Sequence, residues 1–179
     1  MNNMNASRKP FDQGLHDKND PPAILALQQL FEGSEYYVEQ HPQRDETSPE
    51  YKNKIGNTGI DVAIRKIATK EIHMYIDVEV KADWYGKSYP FSTVHFLERK
   101  AKYAPSGPYA RNHFRNKPAC WVLFNNDFTQ HLLVVIADAV TQPIVRLNTR
   151  EGTKREPFHD IPLGMCKFGR LSKLIKKSE

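Results

Sequence analysis

The sequence predicts an α+β or α/β fold, a mixed central sheet of five or six strands flanked by helices. Three observations carry this expectation. Ile24, Leu27, Leu30 and Phe31 recur three and four residues apart, which is one face of an amphipathic helix. From Ile60 onward the period changes to two, with Ile60, Val62 and Ile64 alternating with Asp61, Ala63 and Arg65. Ala119–Phe124 and His131–Ala137 are apolar on both faces, the pattern of central, doubly covered strands. At 179 residues the chain has the length of one domain with a real core.

Taken in order, residues 1–20 are polar and aperiodic and read as a mobile tail, leaving 21–179 as a single domain. Pro21-Pro22 marks a helix start with Asp20 as its cap, and the helix runs toward Val38 with Gly33-Ser34 weakening its middle. His41 to Asn57 reads as a loop with a turn of helix around Ser48–Lys54. Thr69-Lys70 joins the strand starting at Ile60 to a second at 72–81, as a hairpin. In that second strand Met74, Ile76, Val78 and Val80 form one apolar face, and Tyr75, Asp77, Glu79 and Lys81, continued by Asp83, form the other. Ser92–Arg99 is a further strand through Val94 and Phe96, and Asn125-Asn126-Asp127 is a turn between the two apolar strands. Ile144–Leu147 is expected to pair with Phe158–Leu163, and Phe168, Leu171, Leu174 and Ile175 to form a closing helix.

Composition narrows the function classes. No apolar run approaches the roughly 18 residues of a membrane span, and the N-terminus lacks a signal-peptide pattern, so a cytoplasmic protein is expected. Cys120 and Cys166 stand far apart without Cys/His spacing, which argues for reduced thiols and against structural zinc. A net charge of +5 favours polyanionic partners.

Asp61 on one strand and Glu79-Val80-Lys81 on the next, preceded by an acidic helix, resemble the PD-(D/E)xK nuclease superfamily over about residues 22–137. The resemblance implies a restriction-endonuclease-like core: a helix, a four-strand mixed sheet and a second helix. It also implies a Mg²⁺-dependent nuclease, with Mn²⁺ as a substitute, that hydrolyses phosphodiester bonds in DNA, RNA being the other candidate substrate. Such a protein suits a phage or another mobile element, and cutting of both strands would call for a homodimer. Small size and a basic balance favour recognition of DNA structure over a long sequence.

In that frame Asp61 and Glu79 supply hard oxygen ligands, the Val80 carbonyl a third, and waters complete the octahedron. Lys81 orients or polarises the attacking water. A helical Glu completes many such sites, and among Glu32, Glu35 and Glu39 the position of Glu35, four after Phe31, is preferred. Asp77 is an alternative acid. The sequence departs from the pattern in placing Ile60, not proline, before Asp61, and in a long spacing of eighteen residues from Asp61 to Glu79.

Basic residues interleaved with aromatics follow the third strand: Arg99, Lys100 and Lys102 beside Tyr103, then Arg111, Arg115 and Lys117 around Phe114. This composition suits a groove that tracks a nucleic-acid backbone. Lys167, Arg170, Lys173, Lys176 and Lys177 read instead as a solvated helix face. His95 reads as a satisfied, partly buried histidine, His73 as too distant to be a ligand, and Trp84 and Tyr85 as either base-stacking groups or strand anchors. A non-catalytic nucleic-acid-binding or virion-assembly protein with the same fold is the alternative.

Overall fold

A computed structural model describes residues 13–41, 60–107, 112–148 and 155–169. The loop at 42–57, the N-terminal segment before residue 13 and the chain after residue 169 lie outside the described residues. The protein is α+β, built on a mixed six-stranded sheet.

The first helix, α1 (Gln13–Phe31), begins earlier than the Pro21-Pro22 pair suggests; both prolines lie inside it. A proline has no N–H, so the carbonyls of Asp17 and Lys18 lose their usual partners, and the helix is anchored by its second half. There Ala23, Ile24, Leu27 and Phe31 are buried, at the spacing of a single face. The helix stops where Gly33 turns left-handed (φ 74°), and the Ser34 hydroxyl donates to the Phe31 carbonyl at 2.7 Å. The helix therefore does not reach Val38: Tyr36–Gln40 is an edge strand, β1.

Strands β2 (Val62–Lys66) and β3 (Ile72–Lys81) form the expected hairpin, with Lys70 at φ 62° in its connection. They extend β1 as an antiparallel meander. The chain leaves β3, forms β4 (Thr93–Leu97) and a 3-10 turn at Glu98–Tyr103, and returns as β5 (Ala119–Asn125), parallel to β3. Strand β6 (His131–Val135) follows antiparallel, then a one-turn helix α2 (Ile136–Ala139). Strands β7 (Ile144–Asn148) and β8 (Arg155–Pro162) pair as expected, and β9 (Lys167–Phe168) closes the large sheet in the order β1-β2-β3-β5-β6-β9.

Two expectations need correction. Thr93–Leu97 does not join the central sheet; it pairs with β8, giving a separate sheet in the order β4-β8-β7. The expected closing helix begins instead as strand β9 at Phe168, and its remaining residues lie outside the described ones. Among the described residues α1 is the one long helix, and the only α-helix on the opposite face is the one-turn α2, through Ile136 and Ala139. One face of the large sheet carries α1 over Val62, Ile64, Met74, Ile76, Cys120, Val122 and Phe124. The other carries the small sheet, through Val94, Phe96 and Ile161 against Tyr75, Trp121 and Leu123. Among the described residues no helix is long and apolar enough to cross a membrane.

Candidate active site

The site forms where β2 ends and β3 continues without it. The β2–β3 ladder runs from Arg65 opposite Ile72 to Val62 opposite Ile76, and Asp61 stands in the bend just before β2. Its carboxylate Oδ2 accepts the Val78 amide at 2.6 Å, taking the place of a ladder carbonyl. Its own carbonyl accepts the His41 amide at 2.8 Å, which ties it to the end of β1. In an extended strand a residue's N–H and C=O point the same way. Val80, two residues after Val78, thus turns its carbonyl toward the side that holds Asp61, where β3 has no ladder partner beyond Ile76 among the described residues.

On β3 the alternation read from the sequence is kept. Tyr75 packs in the core beneath the small sheet, while Met74 and Ile76 pack toward α1. Asp77 and Glu79 follow Tyr75 on its face, but the two carboxylates are not equivalent: Asp77 is only 2% exposed, whereas the Glu79 side chain is 38% exposed.

Between them sits Lys100, delivered by the 3-10 turn after β4. Its ammonium donates to Asp77 Oδ2 at 2.5 Å and to Glu79 Oε1 at 3.2 Å, and its side chain is 16% exposed. The turn is pinned by burial of Ala101 and Tyr103, and Tyr103 packs edge-on to Phe114, which packs edge-on to Tyr75 of β3. Burial pulls the Lys100 pKa down, but Asp77, Glu79 and Asp61 outweigh it and hold the ammonium firmly protonated. Burial pushes the Asp77 carboxyl above its ordinary value, opposed by the Lys100 charge and reinforced by that of Glu79. Asp77, Glu79 and Asp61 thus all act on this one buried ammonium.

Lys81, the lysine of the sequence motif, lies on the Glu79 side of β3 but outside this cluster. Its ammonium meets Asp83 Oδ1 at 3.2 Å and lies 5.1 Å from the centroid of the Phe91 ring. Glu79, Lys81 and Asp83 line one wall of a cleft of about 450 Å³ between the two sheets, with Trp121 and Leu123 behind it and His95, Phe158 and Leu147 across it. That volume lies within the range of small-molecule sites, roughly 300–1,000 Å³. His95 is exposed on this wall, its Nε2 3.2 Å from Asp160, and not the partly buried histidine expected. Tyr89, also lining the cleft, has its phenol pushed up to about 12 by burial and by the Asp83 charge.

The remaining expected residues scatter. Glu35 is exposed and follows the helix instead of lying on it; its carbonyl accepts the Ile67 amide, where β1 and β2 begin and end their pairing far from Asp61. Its assignment as a helical ligand is corrected for that reason. Glu39 is held by Arg65 at 2.5 Å, and Glu32 is exposed. Arg99 is exposed beside Lys100, and Lys102 lies over the Tyr103 ring. Arg115 is exposed after a second 3-10 turn, and Arg111 lies outside the described residues. Lys117 donates to the Ile72 carbonyl at 3.0 Å, at the far end of β3, roughly 20 Å along the strand from Glu79. The expected basic track is thus split between the two ends of β3. Trp84 is fully buried, edge-on to Tyr89, and is a strand anchor; Tyr85 is 71% exposed.

The sequence reading missed two features. Lys100 is expected in a groove that tracks a nucleic-acid backbone, and only the fold shows its ammonium bonded to Asp77 and Glu79. Trp121 was legible as a central-strand residue, but its position beside Asp77 depends on the β3–β5 register. No protein-family model, curated protein or solved structure matches this chain.

Proposed function

We propose that the protein is a divalent-metal-dependent nuclease of the PD-(D/E)xK kind that hydrolyses phosphodiester bonds in DNA. The observation that carries this reading is that Asp61, in the bend before β2, and Glu79, on β3, both act on the Lys100 ammonium beside the point where β2 stops and the Val80 carbonyl faces an unladdered edge. The order of elements supports it too: a helix, an antiparallel meander and a parallel return strand. The second helix of such a core is replaced here by β4 and its following turn.

The donor chemistry fits Mg²⁺, which takes one or two carboxylates and keeps several waters. Asp61, Glu79 and the Val80 carbonyl would hold the ion; among the described residues no trio of His, Cys, Asp or Glu forms a site by itself. When bound, Mg²⁺ supplies charge neutralisation at phosphorus and a more acidic water. The protein's own groups do the rest. Lys81, on the cleft wall beside Glu79, stands where it can orient a water entering from solvent. Arg99 and Lys102, flanking Lys100, offer cations to neighbouring phosphates. The aromatic and aliphatic walls of the cleft give a nucleotide a face to pack on.

Lys100 favours a second reading, because an ammonium on Glu79 already offsets part of the charge a metal would neutralise. In that reading the protein binds nucleic acid without cutting it. The two separate when supercoiled, linear and branched DNA are incubated with the protein and Mg²⁺ or Mn²⁺, beside Asp61→Asn and Lys81→Ala. The nuclease reading expects metal-dependent cutting by the wild type and none by Asp61→Asn. Cutting that survives both substitutions would remove these residues from the site, and metal-independent binding without cutting would establish the second reading.

A further inference from the structure

We propose that Lys100 is the resident counter-ion of this site and competes with the divalent cation for Glu79, so that metal loading requires its ammonium to withdraw toward Asp77. The inference rests on the nuclease reading for the identity of the ion, and on the described geometry for the competition.

One ammonium bridges two carboxylates of unequal exposure. It is bonded to Asp77 Oδ2 at 2.5 Å, inside the protein, and to Glu79 Oε1 at 3.2 Å, toward the cleft. The shorter bond to the more buried partner is its anchor, and the longer one is the bond that can be released. Glu79 cannot serve both cations at full strength. A divalent ion on a carboxylate oxygen sits about 2.1 Å away, which places it close enough to an ammonium 3.2 Å from the same carboxylate for strong repulsion. Lys100 cannot leave the site without breaking both of these bonds. Nor can it swing freely: Ala101 and Tyr103 are buried on either side of Lys102 and fix the turn that carries it. Movement is confined to the end of its own side chain, with Asp77 as the retained partner.

This arrangement gives Lys100 a function distinct from that of Lys81. Without metal it neutralises Glu79 and keeps the buried Asp77 paired, so that the carboxylates are not left facing one another. With metal bound it is a cation released from Glu79 but still tethered to the buried Asp77.

Direct Mn²⁺ binding, followed by electron paramagnetic resonance on the full chain without DNA, tests the proposal independently of cleavage. Lys100→Gln is expected to bind Mn²⁺ more tightly than the wild type, by about tenfold or more. Lys100→Arg, which keeps the charge, and Lys70→Gln, a charge control at the distant hairpin, are expected to leave the affinity near the wild-type value. If Lys100→Gln does not fold, Asp77→Asn/Lys100→Gln replaces it, compared with Asp77→Asn alone. The gain must vanish when Glu79→Gln is added. Wild-type binding that Lys100→Gln leaves unchanged or weakens overturns the competition while leaving the nuclease reading intact. Absence of Mn²⁺ binding in the wild type and in every Lys100 variant overturns both.

Discussion

The two faces of β3 carry the same strand in opposite ways. Toward α1, Met74 and Ile76 sit in a continuous apolar core with Val62, Ile64, Cys120 and Val122. Toward the small sheet, Tyr75 begins an equally dense core with Phe114 and Trp121, and then Asp77, Glu79 and Lys81 replace it with charge. The change occurs where β2 drops away from β3. The first face is a packing surface from Met74 to Val80; the second is packed at one end and open to a cleft at the other. Charge is tolerated at the boundary because each acid there has a partner: the buried Asp77 has Lys100, and the half-buried Asp61 holds the Val78 amide.

Substitutions on the two faces should therefore fail differently. The largest expected effect on stability is from Lys100→Met, which leaves the Asp77 carboxylate buried and unpaired; about 3–5 kcal/mol is expected, read from the urea midpoint. If Asp77→Asn/Lys100→Met is no more stable than Lys100→Met alone, that account of the charged face is wrong. Ile76→Ala, on the packed face, should cost about 2–5 kcal/mol through the cavity it opens, and on the proposed nuclease reading it should leave cleavage per folded molecule unchanged.

On the proposed nuclease reading, Glu79→Gln is expected to show the reverse: a roughly 100-fold or greater loss of cleavage with an unfolding midpoint close to that of the wild type. Retained cleavage would remove Glu79 from the proposed metal site.

The pH dependence sharpens the same contrast. Burial raises the Cys120 thiol from 9.0 to about 12, and burial with the Asp83 charge raises the Tyr89 phenol from 10.0 to about 12. Both groups bind their protons more tightly in the folded chain. Their contribution is thus complete below pH 9 and is lost as pH rises from 9 toward 12. The melting temperature should fall across that window, and Cys120→Ala should flatten the part of the fall due to the α1 face. The smallest effect is expected from Lys81→Met. Its ion pair with Asp83 is about a third exposed, so stability should shift by less than about 1 kcal/mol, although on the nuclease reading cleavage should suffer.

Much of this arrangement was legible in the residues. The alternation of Met74 through Lys81 specified which side chains share a face, because successive residues on a strand point in opposite directions whatever lies around them. The Thr69-Lys70 connection, the doubly covered β5 and β6 and the pairing of β7 with β8 are equally local or strongly patterned, and they formed as expected. Less legible was Tyr36–Gln40, whose Tyr36 and Val38 fit a helix continuing from Phe31 as well as a strand; the left-handed Gly33 and the pairing with β2 decide it. The candidate site was legible to the same degree. Asp61, Glu79 and Val80 could be named from strand pattern and motif, and the structure brings their chain segments together.

What only the tertiary structure decided is which lysine stands among the acids. The sequence offers Lys81 two residues from Glu79 and Lys100 twenty-one residues away, and local spacing favours the nearer. In the folded chain the nearer one turns to Asp83 and Phe91, and the farther one fills the gap between Asp77 and Glu79. The reason is physical. A strand fixes the direction of its own side chains, but a buried carboxylate must find its counter-charge from whatever segment the fold lays over it. Here that segment is the turn after β4, which the small sheet holds against β3.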